Sequence, residues 1–378
     1  MTEIHGRCDP RFEAVRTAFA AHFEQGQELG ASVAVTLHGE PVVDLWAGDA
    51  DDAGRPWERD TIVNVWSTTK TMAAICMLVL ADRGEIGLDE PVATYWPEFA
   101  AHGKEGVTLA QVLGHTAGVP GWDPPITPEV LYDWDRAAAA LAAQALWWEP
   151  GTASGYHALS QGFIEGEVVR RVTGRTIGTF FRDEIAEPLG ADFHIGLPES
   201  EEHRVGRMIP LDAGMAQAAV DPSSVGARAL LSCPLTGAEP NTRAWRAAEI
   251  PSAGGTGNAR SVARVHSALA NGGTVDGVKI LSAEGIEPIF TEQFHDVDEV
   301  LGVKLRLGTG FGLMNDVVPL SPNPRSCFWG GWGGSVAVFD LDAQLSVAYV
   351  MNRMASGLVG DLRGALLVMA AYQCLQLD

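Results

Sequence analysis

Strand patterns occupy both ends of this chain and helical patterns fill the stretch between them. That order restricts it to folds whose sheet is assembled from the two termini around a helical insert. Residues 31–38 and 41–47 read as two strands, and Gly39-Glu40 between them reads as a tight turn, so the pair predicts a hairpin. Strand patterns return only at 310–314, 335–339 and 344–351, the last two joined by a turn at 340–343. Helical periodicity covers 67–83, 108–113, 136–147, 159–172, 176–186 and 260–269, and further helices are expected at 10–25 and 358–375. The expected class is α+β, with an antiparallel sheet flanked by N- and C-terminal helices beside a mostly helical domain. Residues 1–60 and 300–378 would form the sheet domain and 61–299 the helical one, with an active site in the cleft between them.

Composition narrows the partners. A net charge of -22 repels nucleic acid and anionic membrane surfaces. No stretch approaches a membrane span, and the first seven residues lack the apolar segment of a secretory signal. The five cysteines, Cys8, Cys76, Cys233, Cys327 and Cys374, include no C-x-x-C pair, so neither a zinc ribbon nor a disulfide scaffold is expected. These features read as a cytoplasmic protein with reduced thiols. The sequence leaves the oligomeric state open.

Ser67 and Lys70 stand three residues apart at the start of an apolar helical stretch, which places both side chains on one face. A serine hydroxyl needs a neighbouring base to become a nucleophile. A lysine supplies one when burial disfavours its charged form. Lys70 lies among Met72, Ala73, Ala74 and Ile75, and none of the other three lysines has a serine three residues before it. The plainer alternative is a surface lysine following an N-cap serine.

Acyl transfer by such a pair requires a second proton carrier, an oxyanion hole and a pocket wall. Tyr156, in the Gly/Pro/Ser-rich stretch 149–159 before a helix, is the candidate carrier. A lysine ammonium beside it would lower its pKa. Its alternative role is packing, with the hydroxyl bonded locally. Residues 327–335, Cys-Phe-Trp-Gly-Gly-Trp-Gly-Gly-Ser, precede a buried strand. There Gly330 and Gly331 would let a substrate approach the backbone, a backbone N–H would join that of Ser67 in an oxyanion hole, and Trp329 and Trp332 would wall the pocket. The alternative is a bulged strand entry with two core tryptophans. His115 follows a short helix in a Gly-containing turn and reads as a structural, hydrogen-bonding histidine. There is no G-x-S-x-G, no H-E-x-x-H and no Walker A motif, so no metal and no cofactor is expected.

Together Ser67-Thr68-Thr69-Lys70, the segment 107–119, Tyr156-His157-Ala158 and Trp329-Gly330-Gly331 resemble the serine β-lactamase-like superfamily in order and approximate spacing. The likeness is greatest to the family VIII carboxylesterases, which resemble class C β-lactamases, and it runs from the 31–47 hairpin to the last helix. It implies Ser67 as the acylated nucleophile, Lys70 and Tyr156 sharing the base work, and an oxyanion hole from the N–H groups of Ser67 and Trp332. Two positions depart from the class C pattern. Ala158 stands where that pattern has asparagine, and Trp329-Gly330-Gly331 stands where it has Lys-Thr-Gly. Loss of that lysine removes a cation for the carboxylate of a β-lactam. The resemblance therefore implies a carboxylesterase acting on a small-molecule ester through an acyl-enzyme. The alternatives are a β-lactamase or D-peptide hydrolase, an acyltransferase using the same intermediate, and a scaffold that has kept only the fold.

Overall fold

The computed structural model describes residues 2–211 and 223–375. Nine strands form one antiparallel sheet: β1 (Ile4–Cys8), β2 (Gly30–Leu37), β3 (Glu40–Gly48), β4 (Phe294–Val297), β5 (Lys304–Leu307), β6 (Gly312–Leu313), β7 (Ser326–Gly330), β8 (Val336–Asp340) and β9 (Leu345–Met351). Their order across the sheet is β1-β3-β2-β9-β8-β7-β6-β5-β4. The seam joins the two ends of the chain, with Ala34 of β2 opposite both Asp44 of β3 and Ala348 of β9. The expected α+β fold is the observed one.

Both faces of the central strands are covered, so β8 and β9 are buried throughout and read as continuous apolar runs. Side chains alternate between the faces. Ser346 reaches one face, where its hydroxyl donates to Ala263 O at 2.7 Å in helix α4 (Ala259–Ala270). Tyr349 reaches the other, where it meets Glu28 and lies near Arg363 of helix α5 (Leu362–Leu375). Helix α1 (Glu13–Glu24) packs beside α5 there. Helix α2 (Thr69–Asp82) is buried from Thr69 to Leu80 and packs against α3 (Ser160–Thr173). An apolar helix without a polar face has to lie inside. Gly174, at φ 72°, ends α3 in the left-handed conformation that favours glycine.

Several elements differ from expectation. β1, β4 and β5 are not evident in the sequence, because strands at or near the sheet edges carry polar residues that hide the alternation. The strand expected at 310–314 shrinks to Gly312–Leu313. The alanine-rich helix is Trp134–Ala143. The helix expected at 176–186 runs as Ile177–Phe181 and then widens to a π-turn over Arg182–Ala186. β4 and α4 both come from before residue 300 yet belong to the sheet layer. A separate three-stranded sheet joins Val63–Asn64, Thr256–Gly257 and Phe193–His194, and it fixes the approach to α2.

Candidate active site

Ser67 lies in the 3-10 turn Trp66–Thr68 that runs directly into α2. The N-terminal end of a helix favours developing negative charge. Trp66, just before it, has φ 49°, a left-handed conformation that a bulky residue adopts at a cost of about 1–3 kcal/mol. The surroundings enforce it. Asn64 Oδ1 accepts from the Trp66 N–H at 3.2 Å while its Nδ2 donates to Ala253 O at 3.0 Å and Gly255 O at 3.2 Å. Thr69 Oγ1 donates to Trp66 O at 2.5 Å and accepts from the Gly255 N–H at 2.9 Å.

Lys70 Nζ is 3.3 Å from Ser67 Oγ and donates to Ala158 O at 2.7 Å and Ser252 O at 3.0 Å. Burial holds its pKa well below the usual lysine range, and the charge of Glu165 opposes that fall. A neutral amine has two N–H groups and one lone pair. With both N–H groups given to carbonyls, the lone pair is left for the Ser67 hydroxyl. Tyr156 donates a short hydrogen bond to the same Oγ, and its ring lies 4.7 Å from Lys70 Nζ. One hydroxyl thus touches both groups that the sequence singled out.

The expectation for the Tyr156 pKa is overturned. Burial raises it, and the hydrogen bond to Ser67 and the nearby Trp329 indole only partly oppose the rise. The physical reason is the full burial of the phenol itself, which penalises the phenolate more than its neighbours favour it. The Trp329 indole N–H faces the phenol but falls short of hydrogen-bond geometry.

Gly330 and Gly331 serve a different purpose from the one expected. A Cβ on Gly330 would lie 2.3 Å from Val359 C, and one on Gly331 would lie 2.3 Å from Val65 O and 3.2 Å from Ser67 N. Both glycines let protein backbone approach protein backbone, and Gly331 presses the end of β7 onto the Ser67 turn. Ser335 ties the same contact, donating to Val65 O at 2.7 Å and meeting Thr68 Oγ1 at 3.0 Å. Among the described residues the Trp332 N–H has no hydrogen-bond partner, and the Trp332 ring packs 4.9 Å from Trp66. Trp329 packs 5.7 Å from Tyr156 in a small apolar cluster with Ala229, Val300, Leu305 and Leu307. Ala158 packs against that cluster.

His115 is buried and neutral, its pKa pushed well down by burial and by His157 and Lys70. Its Nδ1 accepts from the His157 N–H at 3.1 Å, and its ring stacks on Trp329 at 5.4 Å. That is the structural role the sequence suggested. Asp298 also belongs to the site, though little in the sequence marks it. This buried carboxylate accepts from the Tyr156 N–H at 3.0 Å, the Ser154 hydroxyl at 2.6 Å, and the N–H groups of Val300 and Leu301 at 3.0 and 2.9 Å. It anchors the loop that presents Tyr156. The one available signal was an acid set among Val297, Val300 and Leu301. Little in the sequence marks Ser252, Ser335 or Glu165 either. A recess of about 660 Å³ at the other end of the sheet, near Arg11, His38 and Tyr372, includes none of these residues. Among the described residues no three His, Cys, Asp or Glu side chains are grouped to hold a metal, and no helix is long and apolar enough to cross a membrane.

A family model described as Beta-lactamase matches residues 15–370. The chain is 34% identical over 385 residues to the "Esterase/beta-lactamase LipL" of Mycobacterium tuberculosis, covering 94% of this chain and 84% of that one. The crystal structure of a family VIII carboxylesterase superposes with a TM-score of 0.91 at 48% identity, covering 98% of this chain and 100% of the other. A penicillin-binding protein homologue from Caulobacter crescentus gives 0.92 at 40% identity, covering 99% and 100%.

Proposed function

The chain belongs to the beta-lactamase family, and from that premise we propose that it is a carboxylesterase working through an acyl-enzyme on Ser67. One observation carries the proposal: Ser67 Oγ lies between the buried Lys70 amine, whose charged form burial disfavours, and the Tyr156 hydroxyl. Ser67 Oγ attacks the ester carbonyl as its proton passes to Lys70 Nζ. The carbonyl electron pair moves onto oxygen, where the N–H groups of Ser67 and Trp332 receive it. Such donors are each worth roughly 3–4 kcal/mol in the transition state. The Tyr156 hydroxyl holds Oγ in place and, kept protonated by burial, relays the proton to the departing alkoxide. Water then cleaves the acyl-enzyme by the reverse sequence.

The choice of an ester over a β-lactam rests on Trp329, which offers apolar area and one N–H where a lysine would offer a charge. The esterase names of similar proteins support the same choice. Catalytic efficiency measured on short p-nitrophenyl esters, a penicillin and a cephalosporin tests it. The esters should lead by orders of magnitude, and Trp329→Lys should narrow the gap by slowing ester turnover and improving β-lactam acylation. A β-lactam hydrolysed as efficiently as the best ester would make the protein a β-lactamase by function, and release of an ester in place of an acid on adding alcohol would make it an acyltransferase.

A further inference from the structure

The proposed oxyanion hole takes one N–H from Trp332, and the structure shows what aims it. The Gly331–Trp332 peptide is trans, and in a trans peptide the N–H points opposite to the C=O. The Gly331 carbonyl accepts from the Gly334 N–H at 3.2 Å, within the turn between β7 and β8. It accepts again from the Gly360 N–H at 3.1 Å, in the segment that leads into α5. Two donors on one oxygen fix the peptide plane and turn the Trp332 N–H away from both. The same peptide starts beside the nucleophile, since an added Cβ on Gly331 would lie 3.2 Å from Ser67 N.

The segment before α5 grips the turn at further points. The Gly333 N–H donates to Gly357 O at 2.8 Å, and Gly333 O accepts from the Ala355 N–H at 2.9 Å. Gly333 O also accepts from Arg363 Nη2 at 2.6 Å. Backbone lies directly on backbone, because a Cβ on Gly330 would meet Gly360 N at 2.4 Å. Arg363 is buried, and all its nitrogens serve protein acceptors. Nε and Nη2 donate to Asp361 Oδ2 at 2.9 and 2.6 Å. Nη1 donates to Glu28 Oε2 at 2.9 Å, Arg353 O at 3.1 Å and Gln27 O at 3.2 Å. One planar fork therefore ties the turn, the segment before α5 and the loop before β2 together, which a lysine's point charge cannot do.

We propose that Arg363 is a positioning residue for the oxyanion hole: through Gly333 O and the Gly360 segment it fixes the peptide from which the Trp332 N–H projects. The role in catalysis rests on the acyl-enzyme reading, but the fixing of the peptide does not. Arg363 touches no reacting atom. When Ser67 Oγ bonds to the carbonyl carbon and the electron pair moves onto oxygen, the donor is already aimed. No reorganisation is then needed as the charge develops.

Two variants test it. Arg363→Lys keeps the charge and loses the fork. Gly360→Ala leaves Arg363 alone and strains the backbone at φ 91°, where the new Cβ would have no neighbour closer than 3.7 Å. Should Arg363→Lys not fold, Gly360→Ala decides. Each should lower kcat about 10-fold with KM little changed, as a misplaced transition-state donor does. Hydrogen bonds to a carbonyl oxygen lower its stretching frequency, so infrared difference spectra of the acyl-enzyme, made with carbonyl-labelled ester, read the hole itself. In the variants the acyl C=O stretch should move to higher frequency. The chain has 11 tryptophans, so nitrogen-labelled tryptophan gives an assignable NMR spectrum, with Trp332→Phe identifying the Trp332 amide. That signal should be single in the wild type and broadened or split in the variants. If the wild type forms an acyl-enzyme and the stretch stays at its wild-type value in the variants, the proposal is overturned, and any loss of Tm assigns Arg363 to packing alone. If the wild type forms no acyl-enzyme, the esterase reading fails and the amide decides: a broadened Trp332 signal upholds the fixing of the peptide, and an unchanged one overturns it.

Discussion

Lys70 and Tyr156 touch one hydroxyl from two sides, so removing either disables the same step. Lys70→Ala and Tyr156→Phe should each lower kcat by about 100-fold or more, the range that general-base catalysis supplies. Groups acting as a unit are strongly non-additive, and the double variant should lose far less than the product of the two single losses. Steady-state kinetics on one aryl ester reads this, and multiplicative losses would assign the two residues separate tasks. The residues of the site were unequally legible. Ser67 and Lys70 are a local pair on one helix turn, so spacing alone placed them together. Tyr156 was marked by the loop chemistry around it. Asp298, which holds the Tyr156 backbone, is 142 residues away from it in the chain. No local pattern encodes such a contact. The direction of the Tyr156 shift was not legible because it depends on how deeply the phenol is buried, a property of the packed core.

The elements show the same division. α4 was legible because its apolar residues repeat with the helix, α2 because it is one long apolar run behind Ser67, and the turn of 108–113 carries a full capping box between Thr108 and Gln111. β1, β4 and β5 were not, since polar strands at the sheet's margins gain their stability from a neighbour rather than from their own pattern. Between β7 and β8 the tight turn is the element that brings the sheet to the nucleophile. Gly331→Ala tests that contact. Its Cβ would meet Val65 O and Ser335 Oγ at 2.3 Å, and backbone cannot yield as a flexible side chain can. Overpacking of this kind costs about 1–3 kcal/mol. Tm should fall, and kcat should fall by a larger factor than KM rises, because the displaced groups are the Ser67 turn and the Trp332 N–H. Thermal unfolding and kinetics on the purified variant check both. A variant with wild-type Tm and kcat would show that the turn does not bear on the site.

At the scale of the whole molecule, the sheet drawn from both ends of the chain is what lets four distant segments converge. The turn at Ser67, the loop at Tyr156, the Ser252 carbonyl and the end of β7 meet around one hydroxyl. The antiparallel order of nine strands fixes where β7 ends, and α2 fixes where Ser67 begins. The net charge of -22 adds a mild repulsion towards anionic substrates, screened beyond roughly 8 Å at physiological salt. The proposed chemistry is covalent and takes place at one atom, Ser67 Oγ. Intact-mass analysis during turnover of a p-nitrophenyl ester, followed by peptide mapping after labelling with an alkyl phosphonate, reads that chemistry directly. The expected result is one acyl or phosphonyl group per chain, on the peptide containing Ser67, and none on Ser67→Ala. A label on any other residue, or undiminished ester hydrolysis by Ser67→Ala, would contradict it.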